Sequence, residues 1–279
     1  MCLEGTLEAV RDHRLGDASP RLSRRAALAA GAGAVLGAAL VRPALATSGR
    51  NRAVKDLTHT FGPRFPIYTG LPTPERSAVT TVEKNGFYNQ RWDLVEHSGT
   101  HMDAPGHFIA GGRVVPEISP EELLVSAVVV DIAKRAGQDP DTGVTPEDLE
   151  RFERRHGRIP RRAAVFMYSG WEARAGNQDA YRNRDANGVH HFPGFGRDAV
   201  EWLLDHRDIT CIGVDTLSLD IGRVTTFDVH HELLGADRYG IENLANLKSI
   251  PAKGATVVVG VIPWEEGSGG PCRVLALLP

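Results

Sequence analysis

Residues 126–170 read "SAVVVDIAKRAGQDPDTGVTPEDLERFERRHGRIPRRAAVFMYSG". The run 126–133, "SAVVVDIA", is short, nearly continuous in apolar residues and rich in valine, which suits a buried strand. The run 162–170, "RAAVFMYSG", has the same character and stops at a glycine. Between them lies "TPEDLERFERRHG". Thr145 is a good N-cap because its hydroxyl can accept from the first free N–H groups. Pro146 fits the first helical position, and Asp148 stands where a capping carboxylate belongs. The order is therefore strand, helix, strand, and that alternation places the chain among mixed α/β folds.

The pattern continues outward. "RDAVEWLLDHRD" reads as a helix and "ITCIGVDTLSLD" as the strand after it. "DVHHELLGADRYGIENLANL" reads as two short helical pieces broken near Gly235 and Gly240. "GATVVVGVIPW" and "CRVLALLP" are closing strands. Upstream, residues 80–94 predict a hairpin around Lys84-Asn85-Gly86, since Asn-Gly is a strong hairpin turn. Residues 171–196, polar with scattered aromatics, predict a long ordered loop of the kind that shapes a site. Strands dominate the first third and alternate with helices later, which points to one domain.

The chain has 279 residues, 42% of them hydrophobic, and a formal net charge of -3. That is enough to bury a sizeable core, and the near-neutral balance gives no reason to expect nucleic acid or an anionic membrane as partner. Residues 1–46 predict an export signal of the twin-arginine type. Arg24–Arg25 precede a weakly apolar Ala/Gly-rich run from Ala26 to Val41, and Ala44-Leu45-Ala46 fits a small-x-small cleavage site. The catalytic domain is then 47–279, exported to the periplasm or secreted. Of three cysteines, Cys2 falls within the signal. Cys211 and Cys272 lie in apolar runs and are read as buried structural thiols, with one bridge between them left open.

The chemistry is concentrated in residues 97–108, "HSGTHMDAPGHF". In extended chain, side chains alternate faces, so His97, His101, Asp103 and His107 share one face. A flat strand still separates His97 from His101 by about 13 Å. Two nitrogens on one metal must each lie about 2 Å from it, so the chain must bend, and Gly99 permits the bend. Gly99 and Pro105 argue against a helix here. His107 follows the Pro105-Gly106 turn and is the member set back from the metal, where a proton shuttle is needed. Further ligands are sought at His230 or His231 and at Glu242. Twelve residues of straight helix would hold His230 and Glu242 roughly 18 Å apart, so the pairing requires the chain to turn back. A mixed N/O ligand set without thiolate suits Zn or Mn, and two carboxylates could bridge a pair of ions. Phe65, Tyr68, Trp171, Phe192 and Phe195 are candidates for an aromatic-lined substrate pocket. His190 and His191 are read as loop packing or pocket lining rather than ligands.

This stretch closely resembles the signature His-x-Gly-Thr-His-x-Asp-x-Pro-x-His of the cyclase family of metal-dependent hydrolases, which includes bacterial kynurenine formamidases and isatin hydrolases. All seven specified positions are met. The resemblance runs from about Asp56 to about Trp264. It implies that His97, His101 and Asp103 bind metal and that His107 is the general acid/base. In the formamidases a His and a Glu twelve residues apart complete a two-metal site, and His230 and Glu242 match that spacing where His231 does not. The implied fold is a swivelling β/β/α domain in a homodimer or homotetramer. The long 171–196 loop and the segment "FPIYTG" depart from compact formamidases.

These readings converge on a metal-dependent hydrolase that cleaves an amide, formamide or cyclic imide of a small, aromatic or cyclic substrate. A cyclase or dehydratase, or a lactone hydrolase, would use the same residues.

Overall fold

The structure, a computed structural model, describes residues 53–279. The export signal read from residues 1–46 lies outside the described residues. Two compact units are distinguished. Among the described residues, the smaller includes Arg76–Trp92 and the larger comprises 53–75 and Asp93–Pro279.

The strands are β1 (Val54–Asp56), β2 (Glu75–Thr80), β3 (Asn89–Asp93), β4 (His101–Asp103), β5 (Leu124–Asp131), β6 (Gly143–Val144), β7 (Ala163–Tyr168), β8 (Gly194–Phe195), β9 (Ile209–Val214), β10 (Tyr239–Glu242), β11 (Lys253–Val261) and β12 (Gly269–Leu277). The helices are α1 (Val82–Asn85), α2 (Ala133–Ala136), α3 (Pro146–His156), α4 (Gln178–Arg182), α5 (Arg197–His206) and α6 (Asp228–Gly235). In the smaller unit, β2 and β3 pair, but α1 intervenes where an Asn-Gly hairpin turn was expected. Thr81 caps α1 and Gly86, at φ 82, ends it, so the glycine serves as a helix stop rather than as a turn corner.

The main sheet runs β1-β12-β11-β5-β7-β9-β10-β4, and β12 also pairs with β4, which closes the sheet on itself. β5, β7, β9 and β10 are parallel neighbours, joined by helical crossovers. The alternation of side chains separates two cores. Val125, Ala127 and Val129 of β5 join Ala164, Phe166, Met102, Ile241, Val257 and Val274 in the cluster that fills the closed sheet. Val128 and Val130 face the other way and pack with Leu149 and Phe152 of α3, Leu203 of α5 and Leu233 of α6. Helix α3 forms as its caps predict, with the Thr145 side chain accepting from the Asp148 N–H and Gly157 at its end. The result is a mixed α/β domain with a sheet-dominated core.

Two further expectations are corrected. The second piece of "DVHHELLGADRYGIENL" is not helical. Helix α6 ends at Gly235, and residues from Tyr239 form β10 between β9 and β4. Gly240 is a strand residue pressed by a neighbour, since a Cβ there would meet a Leu219 methyl at 2.5 Å. The 171–196 segment is ordered but carries a 3-10 turn at Trp171–Arg174 and the short helix α4. Cys211 and Cys272 are both free and buried.

Candidate metal centre

β4 is the base of the site. Met102 points into the closed sheet, so His101 and Asp103 point outward on the opposite face. Both are buried, at 3% and 1% exposure. In the antiparallel pair with β10, Glu242 lies directly opposite His101. The His101 Nε2 stands 3.4 Å from Glu242 Oε2 and 3.3 Å from Asp103 Oδ1.

Gly99 supplies the expected bend. Its φ is +69, and a Cβ there would lie 2.6 Å from the Phe61 ring. The turn brings His97 back over β4, with its Nδ1 2.6 Å from Asp103 Oδ1. Pro105–His107 then form a 3-10 turn. His107 is less remote than expected. Its ring stacks on that of His97, centroids 3.7 Å apart and planes 21° from parallel.

The remaining corner comes from α6. His230 Nε2 lies 3.3 Å from Glu242 Oε1 and 3.7 Å from Asp103 Oδ2. The strand conformation of β10 is what lets the two residues meet despite their separation along the chain. His231 points elsewhere, with an exposed ring set edge-on against Phe108. Two ring orientations are fixed from behind. The Gly99 carbonyl takes the His101 Nδ1 at 2.9 Å, and Asp220 takes the His230 Nδ1 at 2.6 Å. Asp220 also accepts the Val229 and His230 backbone N–H groups, so it caps α6 while orienting its histidine.

The electrostatics call for a cation. Burial alone would raise the Asp103 carboxyl, but the imidazoles of His101, His230 and His97 hold it well below its ordinary value. Burial, reinforced by the Asp103 charge, raises Glu242. Burial opposes the charged form of His101, yet Asp103 and Glu242 push it up to about 9. His107 responds the other way, since burial and the neighbouring imidazoles bring it down to about 4 against the pull of Asp103. Asp103 Oδ2 is buried with no hydrogen-bond partner. An orphaned carboxylate oxygen among imidazole nitrogens is what a metal ion would satisfy. His97, Asp103 and His107 offer ligand atoms all within 4.8 Å of one another, and so do His101, Asp103 and Glu242, the two groups sharing Asp103. The donors therefore fit a divalent ion.

Above this cluster opens a cavity of about 260 Å³. Its walls include Ile67, Tyr68, Val95, Phe108, Leu217 and Phe227, and no lysine or arginine is among its described lining residues. Of the five aromatic candidates, Tyr68 lines the cavity and four do not. Phe65 packs against His59, Phe61 and Tyr181. Trp171 and Phe192 are sealed with Tyr181 behind Leu217, and the Trp171 indole N–H donates to the Tyr181 carbonyl at 2.8 Å. Phe195 lies in the helix-facing core. The long loop shapes the site indirectly. Arg182 of α4 donates to the Ile67 carbonyl at 2.9 Å, and His190 bonds the Thr69 hydroxyl at 3.0 Å. His191 pairs with Asp141 at 2.9 Å and is no ligand.

Residues the sequence did not single out include Asp220, Phe108 and Phe227. Phe108 closes the quoted motif and was the most findable. Phe227 lines the cavity from a left-handed backbone conformation, φ 50, which costs of order 1–3 kcal/mol and is found most often at functional sites.

A buried His/Asp/Glu cluster at the floor of an apolar cavity fits the class of metal-dependent hydrolases. The family model described as "Putative cyclase" matches residues 55–221, and the chain belongs to that family. It is 33% identical to an isatin hydrolase of Roseibium aggregatum over 81% of this chain and 92% of that one. A kynurenine formamidase of Erythrobacter litoralis is 22% identical over 80% and 93%. Among solved structures, isatin hydrolase A from Ralstonia solanacearum superposes with a TM-score of 0.78 at 34% identity, covering 82% of this chain and 93% of that one. An isatin hydrolase bound to the product analogue thioisatinate gives the same TM-score at 32% identity, over 82% and 93%.

Proposed function

We propose that this enzyme opens a neutral cyclic amide or imide fused to, or carrying, an aromatic ring. The wider class, a metal-dependent amidohydrolase acting on non-peptide C–N bonds, follows from the kinship with isatin hydrolase and kynurenine formamidase. The observation that carries the narrower reading is the cavity lining, apolar on its walls and without a lysine or arginine among the described residues. A zwitterionic amino-acid substrate would be left there without a partner for its carboxylate.

His97, His101, Asp103, His230 and Glu242 would hold the metal, with Zn or Mn matching their N/O donors and one or two ions shared through Asp103. Such an ion, when bound, acidifies water toward neutral pH and polarises a carbonyl oxygen. His107 is the general acid/base. Burial keeps its imidazole neutral at pH 7, so it can accept a proton from the attacking water. It then returns that proton to the leaving nitrogen. Its stack on His97 holds it beside the ligand cluster without using a hydrogen bond. Tyr68, Phe108 and Phe227 flank the substrate ring and exclude water.

Elemental analysis of the purified protein, then turnover of an isatin-type cyclic amide, an aryl formamide and a lactone, tests this reading. Preference for the cyclic amide supports it, and a preference for a zwitterionic formamide contradicts it. Oxygen from labelled water must appear in the product; its absence would favour a cyclase or dehydratase. We also assign export by a twin-arginine-type signal and assembly as a homodimer or homotetramer, which fractionation and light scattering check.

A further inference from the structure

Unlike His101 and His230, which have Nδ1 engaged from behind and Nε2 turned to the carboxylates, His97 is reversed. Its Nε2 meets the Ser268 hydroxyl at 3.0 Å, while its Nδ1 faces Asp103. We infer that Glu96 and Ser268 are positioning residues that keep the proton of His97 on Nε2, so that Nδ1 is the atom this histidine offers to the metal. This rests on reading His97 as a ligand.

Donors and acceptors fix the tautomer. The Ser268 hydroxyl lies 2.8 Å from Glu96 Oε2, and a carboxylate can only accept, so the hydroxyl gives its one proton there. The Ser268 backbone N–H donates to the same oxygen at 3.1 Å, which fixes the serine from two sides. The serine oxygen is then free only to accept, and the His97 Nε2 must carry the proton it accepts. A neutral imidazole has one N–H, so Nδ1 is a lone pair. It stands 2.6 Å from Asp103 Oδ1, another acceptor. Two acceptors at that distance repel unless a cation or an extra proton lies between them. A metal ion satisfies both without charging the ring. Backbone shape holds the same orientation. A Cβ on Gly269 would sit 2.4 Å from the His97 Cε1 and 3.0 Å from its Nδ1, so a side chain there would displace the ring.

The test compares wild type with Ser268→Ala, Ser268→Thr, Glu96→Gln and His97→Ala. Zn(II) affinity is measured by chelator competition, and thermal unfolding is followed on the metal-free proteins. Ser268→Ala should bind Zn(II) about 10- to 100-fold more weakly while unfolding with the wild type when metal-free, and Glu96→Gln, which keeps one acceptor oxygen for the Ser268 hydroxyl, should lose less. Ser268→Thr, which keeps a hydroxyl, should retain most of the affinity. A long-range 1H–15N spectrum of the Zn(II)-loaded wild type should place the His97 proton on Nε2, and this measurement stands even if a variant fails to fold. Affinity of Ser268→Ala within about twofold of wild type, or a proton on Nδ1, would overturn the inference. His97→Ala separates the two claims. If it binds Zn(II) as wild type does, the ligand reading fails; if it loses the metal while Ser268→Ala does not, only the positioning role fails.

Discussion

His101 and Glu242 face each other across the β4–β10 pair, so residues 141 positions apart in the chain meet as cross-strand neighbours. The local motif and the distant carboxylate are thereby joined by backbone hydrogen bonds. Glu242→Gln keeps the size of the side chain and an oxygen for the Leu219 N–H, which Glu242 Oε1 accepts at 3.1 Å. It removes the charge. The expected outcome is a folded protein that binds metal at least about tenfold more weakly, read by chelator competition.

Gly99 tests the bend. Its φ of +69 favours glycine, and a Cβ would collide with Phe61 at 2.6 Å. Gly99→Ala should cost about 1–3 kcal/mol in denaturant unfolding. It should also lower metal occupancy, because His97 reaches Asp103 only through that turn.

Asp215 gives a pH signature away from the metal cluster. It is fully buried and accepts from the Ser169 N–H and hydroxyl and from the Trp171 N–H. Burial nevertheless pushes its carboxyl up to about 7. A folded value above the unfolded one means the native state holds the proton more tightly. Its stabilising contribution is full below about pH 4 and is lost as pH rises through about 7. Thermal unfolding should show the Tm of wild type, relative to Asp215→Asn, falling between about pH 4 and 7 and levelling above.

The aromatic residues should divide by position. Tyr68→Ala removes a cavity wall and should raise KM with little change in Tm. Trp171→Ala empties a core site and should cost about 3–5 kcal/mol of stability, with KM nearly unchanged in the folded enzyme. Kinetics and calorimetry on the pair check the separation.

The legibility of the chain followed the range of each interaction. Thr145, Pro146 and Gly157 act within one helix, and α3 forms where they predict. His97, Gly99, His101 and Asp103 lie within seven residues, so period-two alternation and one bend sufficed. His230 and Glu242 needed β10 to be a strand. Gly240 looked like a break because its contact with Leu219 is tertiary. Asp220 and Ser268 act on histidines through folded distances that no local rule links. Phe65, Trp171, Phe192 and Phe195 were misplaced because aromaticity marks burial but not which side of a wall a ring occupies.

The central claim is that His107 moves protons while other residues hold the metal, and metal content with turnover of His107→Ala measures both at once. The account predicts wild-type metal occupancy, with turnover reduced about 10²- to 10⁴-fold. Full activity, or loss of the metal along with the activity, would contradict it.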